Sequence, residues 1–349
     1  MAEAATGTSF GRNALLAVVL TACAVAFPFF GPSNYVIGQF TLLFIWVSVV
    51  VQWNLVFGFA GIMTLGQVAT FAVGAYATAM IALYLPVPFW LALLLSAPVA
   101  VLFNLFLGLI TLRMRGDYVA IVTLAVAVLL SAIVVNDTNC FRMEQMTCYP
   151  FTGGSRGLVK YGDMGWKDIL GFKYRYLGDY YLALTVLFFG FIFALVVISG
   201  PYGLAFRAIR DNESYARARG VAFRKYQLMV FALSAVACGL AGGVYAGYLK
   251  TVGSTLLDIN LLIFLLSMMI VGGRGTVWGP VIGGAVLMYA DSVLQSLGGW
   301  RTGGLALVTI LFILFYPGGI AGAVGSLFGH LKAKMVSSEK KEPQRGLLP

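Results

Sequence analysis
The chain has 349 residues, 60% of them hydrophobic and only 10% charged, with a formal net charge of +10. Its mean hydropathy is +0.91. No water-soluble fold hides that much apolar side chain, and runs of about 20 apolar residues read as membrane spans. The composition excludes a soluble enzyme and leaves an all-α polytopic membrane protein. Residues 1–13 carry one basic side chain, Arg12, and no cleavage site leading into a soluble domain. Residues 14–30 are therefore expected to form a retained first span rather than a secretory signal.

Further apolar runs follow at 35–53, 55–84, 88–112, 118–135, 180–199, 227–249, 259–272, 276–297 and 302–320. Two have the wrong length. A helix over 55–84 would be roughly 45 Å long against a hydrocarbon core of about 30 Å, and one over 259–272 only about 20 Å. Both lie beside glycine clusters, Gly58–Gly66 and Gly272–Gly275. The expectation is a re-entrant or broken piece at 55–66 followed by a span at 68–84, and a short span at 259–272 extended by irregular backbone. The total is about ten crossings with glycine-interrupted segments.

Ten crossings put both termini on one side, and basic residues choose the side. Arg113 and Arg115 follow the fourth crossing. Loop 200–226 holds Arg207, Arg210, Arg217, Arg219, Arg224 and Lys225 against Asp211 and Glu213. The tail holds Lys332, Lys334, Lys340, Lys341 and Arg345. All three fall on the same face, which is expected to be cytoplasmic, with loop 136–179 external. Residues 1–325 thus read as one transmembrane domain and 326–349 as a polar cytoplasmic tail. The positive charge is a topology signal, and nucleic-acid binding is not expected.

Chemistry-bearing motifs are scarce. His330 is the only histidine, and the sequence has no Cys/His cluster, phosphate loop or nucleophile elbow. No catalytic residue, metal or cofactor is expected in this chain. Ionisable residues within spans mark proton or ion pathways, and only Asp291 lies well inside an apolar run. A self-sufficient secondary carrier normally needs more, and an intramembrane enzyme would need paired carboxylates or a nucleophile. The energy source is expected in another chain. Cys23 and Cys238 lie in apolar runs and read as packing residues. Cys140 and Cys148 lie in the external loop and are expected to form a disulfide.

The loop 200–226, "GPYGLAFRAIRDNESYARARGVAFRKY", carries a complete short-helix signature. Asp211 or Asn212 can cap the N-terminus, Glu213 opens the first turn, Arg217 and Arg219 close the last, and Gly220 stands at the left-handed position beyond it. A helix of about seven residues is too short to be stable alone, so it is expected to dock on something, the alternative being that it lies on the membrane surface. Downstream, Ala235, Gly239, Gly243 and Gly247 repeat every fourth residue, as do Gly275, Gly279 and Gly283. Small residues at this spacing bring helix backbones together in lipid. Interrupted helices also line substrate paths in transporters, which makes Gly61, Thr64, Gly66 and Gln67 in one half, and Gly272, Gly273 and Gly275 in the other, candidate path residues.

Five segments, in order, resemble the LivM-type permease subunit of branched-chain amino-acid ABC importers: "WNLVFGFAGIMTLGQVATFAVGAY", "RMRGDYVAIVTLA", "FTGGSRGL", "FRAIRDNESYARARGVAFRKYQLMVFALSAVACGLAGGVYA" and "VGGRGTVWGPVIGGA". The resemblance spans Trp53 to Pro317. It implies a bacterial inner-membrane permease paired with a LivH-like second permease, two cytoplasmic ATPase subunits carrying ATP and Mg, and an external solute-binding protein. It further implies that the capped helix, with Arg207, Arg210, Asn212, Glu213, Arg217 and Gly220, is the segment that docks into an ATPase groove. Three features depart from the family pattern: Thr64-Leu65-Gly66-Gln67 stands where relatives carry SLGH, Arg274 occupies an ordinarily apolar turn position, and residues 136–150 are longer than usual. Similar permeases carry urea, short amides, other amino acids or aromatic acids, so the resemblance does not name the solute.

Overall fold
The computed structural model describes residues 2–114, 116–144, 147–316 and 318–322. Arg115 and the tail 326–349 lie outside them. The chain divides into two units, 1–266 and 267–349. It is an all-α polytopic membrane protein: among the described residues seven helices are long and apolar enough to cross a bilayer, and three more apolar helices are shorter. Helices are the open-ended element that satisfies its own backbone in lipid, and the apolar runs become helices almost one for one.

The first unit contains α1 (Ala2–Ala26), α2 (Asn34–Asn54), α3 (Gln67–Tyr84), α4 (Phe89–Thr111), α5 (Asp117–Asn136), α6 (Trp166–Ser199), α7 (Pro201–Asp211), α8 (Glu213–Ala218) and α9 (Phe223–Leu249). Ser33 caps α2 by accepting from the Val36 amide. Helix α9 is the centre of the unit and packs on α2, α3, α4 and α6. The small residues predicted to form a ladder explain how. A Cβ on Gly239 would stand 2.6 Å from Ala100 Cβ, and one on Gly243 would stand 2.6 Å from Thr78 Oγ1. Gly74 of α3 lies against the Gly239 backbone in the same way. Helix backbones in near-contact replace the hydrophobic drive that lipid cannot supply. Cys238 is packed as expected, whereas Cys23 is exposed on α1.

Two short antiparallel ribbons were not expected from the sequence. The first joins β1 (Arg142–Glu144) to β2 (Thr147–Tyr149), and the second joins β3 (Leu158–Val159) to β4 (Thr251–Val252). Cys140 is disulfide-bonded; the side chain of Cys148 lies outside the described residues.

The break after α2 differs from the expectation. Residues Leu55–Phe59 do not form a re-entrant piece attached to α3. They continue α2 as a π-helical turn, with the Ala60 amide donating to Leu55 O at 3.1 Å, so that Asn34–Phe59 is one span. The irregular backbone is only residues 60–66, and α3 starts at Gln67. The second departure is α7. Loop 200–226 contains two helices rather than one, with Pro201 in the first turn of α7, a position where its missing N–H costs nothing.

In the second unit, the end of α10 (Ile259–Gly272) meets α11 (Gly279–Leu294) so closely that a Cβ on Gly272 would collide with Gly279 O, and one on Gly283 with Met268 O. Gly273 and Gly275 adopt positive φ in the turn between them. Gly275 thus lies in the turn, at φ +73. Helix α12 (Arg301–Phe315) follows, and α11 and α12 are both shorter than the apolar runs that predicted them.

Candidate functional site
The helix predicted to dock on a partner forms as α8. Asn212, not Asp211, caps it: Asn212 Oδ1 accepts from the Tyr215 amide at 3.0 Å. Glu213 in the first turn pairs with Arg217 in the last. At the other end Gly220 adopts φ +87, its amide donates to Arg217 O, and the Val221 amide donates to Ala216 O. Those two bonds are the Schellman arrangement, which closes a helix through a left-handed residue. Arg219 donates to the Tyr215 hydroxyl, and Arg217 lies over the Phe223 ring. Ala216 is the only buried residue of α8, so the helix presents Tyr215, Arg217 and Arg219 outward.

Helix α7 packs against α6, α8 and α9, burying Gly203, Ala205, Phe206 and Ile209. Its two arginines, read from the sequence as coupling residues, also make contacts within the chain. Arg210 donates from Nη1 to Gly58 O at 3.2 Å, inside the π-helical turn, and its Nε reaches Asp211 Oδ1. Arg207 donates to Ile198 O at 3.3 Å and lies over the Phe59 ring. Gly61, at φ +71, sits under the Arg210 stem, where a Cβ would collide with Arg210 Cγ. A π-helical turn opens backbone carbonyls that an α-helix would bond, and here an arginine from the docking segment takes one of them. The structure thus joins two sets of residues that the sequence placed in separate roles, Gly61 with Arg207 and Arg210.

The rest of the break turns inward. Thr64 and Gln67 are each 1% exposed. Thr64 O accepts from Trp53 Nε1 at 2.8 Å, Thr64 Oγ1 accepts from the Gly66 amide, and the Leu65 amide donates to Thr123 Oγ1 at 2.9 Å. Gln67 Nε2 donates to Ser234 O, and Thr70 donates to both Gly66 O and Asn104 Oδ1. Asn104 in turn donates to Phe231 O at 2.7 Å. Non-helical backbone at membrane depth persists only where protein satisfies it, and this neutral network does so. The exposed part of the break is Gly61 and Met63. In the second unit, Gly272 is buried against α11 and Gly273 lies beside Gly318 O.

Sequence reasoning missed the partner of Asp291. Arg301 donates from Nε to Asp291 Oδ1 at 2.6 Å and from Nη2 to Oδ2 at 2.5 Å, a bidentate pair between α11 and α12. The ten-residue separation and the glycines between them hid it. Among the described residues no group of His, Cys, Asp and Glu could hold a metal ion.

At the end of α6 and α9 opposite to α7 and α8 lies a pocket of about 320 Å³ whose lining includes Asp163, Lys167, Arg175, Asp179 and Lys250. Lys250 Nζ donates to Asp163 Oδ2 at 2.8 Å, with Lys167 near the same oxygen. This hydrogen bond holds the Asp163 carboxyl below its usual range.

A family model described as "Branched-chain amino acid transport system / permease component" matches residues 35–316. The chain is 26% identical to the high-affinity branched-chain amino acid transport system permease protein LivM of Escherichia coli (strain K12) over 330 residues, covering 88% of this chain and 75% of that protein. It is 25% identical, with the same coverage, to the LivM of Salmonella typhimurium. Over 138 residues, 38% of this chain and 41% of the relative, it is 29% identical to the autoinducer 2 import system permease protein LsrC of Photorhabdus laumondii. No solved structure matches. With the matched residues running from the start of α2 through α12 and taking in both glycine-interrupted segments and α8, the chain belongs to the branched-chain amino acid transport system permease component family.

Proposed function
We propose that this permease imports a branched-chain or closely similar amino acid, and that α8 is the contact through which partner ATPase subunits drive it. One observation carries the coupling role: α8 is capped at both ends and internally paired, yet buries a single alanine. A helix of six residues with no core of its own is stabilised by what it docks on. In this reading two cytoplasmic ATPases, which hold ATP and Mg, bind α7 and α8. A second, LivH-like permease completes the path, and a solute-binding protein delivers solute from the other side. Both termini and loop 200–226 are cytoplasmic, and loop 136–179 is external. Gly61 and Met63, as the exposed part of the break, face the path.

Relatives named for branched-chain amino acids, and one matched over 38% of this chain that is named for autoinducer 2, do not point to a single solute, so amino-acid import is tested directly. Vesicles with the four partner proteins and ATP are expected to accumulate radiolabelled leucine, isoleucine or valine. Vesicles holding this chain alone are expected to accumulate none. Uptake by the chain alone would show a secondary carrier, and ATP-driven uptake confined to a urea or amide probe would move the solute class. Thiol labelling of a cysteine placed at position 340 in intact cells tests the orientation; labelling from outside would overturn it.

A further inference from the structure
We propose that the end of α2 is a two-state latch operated by α7. With Arg210 seated on Gly58 O, the helix closes through the wide π-helical turn Leu55–Phe59. With Arg210 withdrawn, it closes one residue tighter, on an ordinary left-handed glycine cap, and re-aims Gly61 and Met63. The proposal rests on the coupling reading for what moves α7, and adds the part of this chain that responds.

Two helix ends in the first unit close on a glycine at positive φ, and they close differently. At the end of α8, Gly220 (φ +87) donates to Arg217 O, three residues back, and Val221 donates to Ala216 O, five back. The same closure at Gly61 (φ +71) would bond the Gly61 amide to Gly58 O and the Ile62 amide to Phe57 O. Neither bond is made. The Ile62 amide reaches Val56 O at 3.1 Å, six residues back, and the Ala60 amide reaches Leu55 O at 3.1 Å, five back. Among the described residues the Gly61 amide donates to no backbone carbonyl, and Gly58 O is held instead by Arg210 Nη1 at 3.2 Å.

An arginine of α7 thus occupies the carbonyl that the ordinary cap needs. Arg207, three residues earlier and on the same helix face, lies over the Phe59 ring. A Cβ on Gly61 would stand 3.2 Å from Arg210 Cα, so the two backbones are nearly in contact. Helix α7 therefore cannot shift relative to α2 without changing this end. Tightening exchanges acceptors one for one: Ala60 from Leu55 O to Val56 O, Ile62 from Val56 O to Phe57 O, and Gly58 O from the guanidinium to the Gly61 amide. The bond count does not choose between the two states. The seat of Arg210 is the differential contact that does, and only a differential contact can shift such an equilibrium. Single π-helical turns are rare and occur mostly at functional sites. Downstream, Thr64 O is fixed by Trp53 Nε1 at 2.8 Å and the Leu65 amide by Thr123 Oγ1 at 2.9 Å. The one-residue change is therefore taken up between Ala60 and Met63, the stretch that holds the exposed Gly61 and Met63. In the path reading, those two residues are the part of the wall that moves.

The test is hydrogen–deuterium exchange read on peptides spanning Phe59–Met63, with the full chain in nanodiscs, alone and in complex with its ATPase partners. In the wild-type chain the Gly61 amide, which has no backbone acceptor, is expected to exchange fast. Arg210→Met and Arg210→Gln, which vacate Gly58 O, are expected to slow it by about fivefold or more, the protection of one net hydrogen bond. Exchange in the α8 peptide should stay as it is in the wild type. Trapping the ATPases with ATP and vanadate is expected to slow Gly61 in the wild-type complex in the same way, a comparison that needs no substitution. Gly61 exchange that is unchanged in both variants, or unchanged on trapping where neither variant folds, overturns the latch. The two readings fail separately. Slowing in the variants without a response to trapping keeps the latch and removes the ATPases as what drives it. Loss of solute-stimulated ATP hydrolysis in Asn212→Ala complexes, with Gly61 exchange insensitive to Arg210, keeps the coupling reading and removes the latch.

Discussion

The contact of Arg210 with Gly58 makes a quantitative prediction about coupling. Arg210→Met keeps an unbranched apolar stem over Gly61 and removes only the guanidinium, and with it the 3.2 Å hydrogen bond to Gly58 O. A hydrogen bond from a charged donor contributes about 1.5–3 kcal/mol net when shielded. The Arg210 side chain is 38% exposed, so water competes for the guanidinium and about 1–1.5 kcal/mol is the better figure. That energy ties the docking segment to the end of the α2 span. Its loss should leave membrane insertion, complex assembly and basal ATP hydrolysis intact, because α8 and its caps are untouched. The expected defect lies in transmission: solute moved per ATP should fall by about fivefold to tenfold, the ratio equivalent to that free energy. Reconstituted complexes assayed at once for phosphate release and radiolabelled uptake give this ratio directly. If Arg210→Met complexes assemble and retain the wild-type ratio within a factor of two, the arginine merely fills space and the tie transmits nothing.

Asn212→Ala removes the cap of α8 and should cost about 1 kcal/mol of local helix stability, seen as reduced solute-stimulated ATP hydrolysis with unchanged expression. Gly220→Val should do the same more severely, because a β-branched residue at φ +87 is held in a strained conformation. The lowered carboxyl of Asp163 gives a pH signature. A carboxylate with a folded-state pKa below its unfolded value stabilises the fold above the unfolded value, and the contribution disappears as pH falls through the folded one. Since both partners are partly exposed, the effect is under about 1 kcal/mol, and thermal-melt differences between wild type and Lys250→Met should begin to shrink as pH falls below about 4 and vanish only below the lowered folded-state value. Mass spectrometry of non-reduced peptides should find Cys140 joined to Cys148; a free Cys148 thiol would reject that pairing. Asp291→Asn leaves Arg301 in the α11–α12 hairpin without its bidentate partner and should lower the melting temperature, while Asp291→Leu with Arg301→Leu should recover part of the loss. Full stability with abolished uptake would instead mark Asp291 as a proton carrier.

The helices were legible because a membrane segment announces itself by composition alone. Where length also mattered, the reading slipped for a physical reason. The apolar run 55–84 correctly demanded a break, but hydropathy carries no information on which side of the break Leu55–Phe59 belongs. That choice is made by the extra residue in the π-helical turn and by Arg210, which is 152 residues away in sequence from the carbonyl it binds. The caps of α8 were legible, up to the choice between Asp211 and Asn212, because capping is local chemistry within four positions. Helix α7 was missed because its basic residues were read as topology charge and as part of the coupling segment, although Pro201 followed by Gly203, Phe206 and Ile209 at helical spacing carried the signal. Asp291 was noticed and its partner was not, since nothing in one sequence tells which arginine a hairpin returns.

The distribution of polar groups argues which class of transporter this is. Among the described residues the buried polar side chains of the spans are Thr, Ser, Asn and Gln, and Asp291 is the one buried ionisable group in that set. A carrier driven by protons or ions must change the charge of something at mid-depth during each cycle. Here the buried groups Gln52, Thr70, Asn104, Thr123 and Ser234 are neutral and hydrogen-bonded to backbone or to one another, and Asp291 is paired with Arg301. These groups fix geometry and cannot store a proton gradient. The ionisable groups gather at the two ends of α6 and α9: Arg207, Arg210 and α8 at one, and the mixed-charge pocket at the other. In the proposed coupling role, the Arg210–Gly58 hydrogen bond links α7, next to α8, to the end of the α2 span. A chain built this way responds to work done at its surface by a partner, which is the behaviour required of a permease whose energy comes from ATP hydrolysed elsewhere.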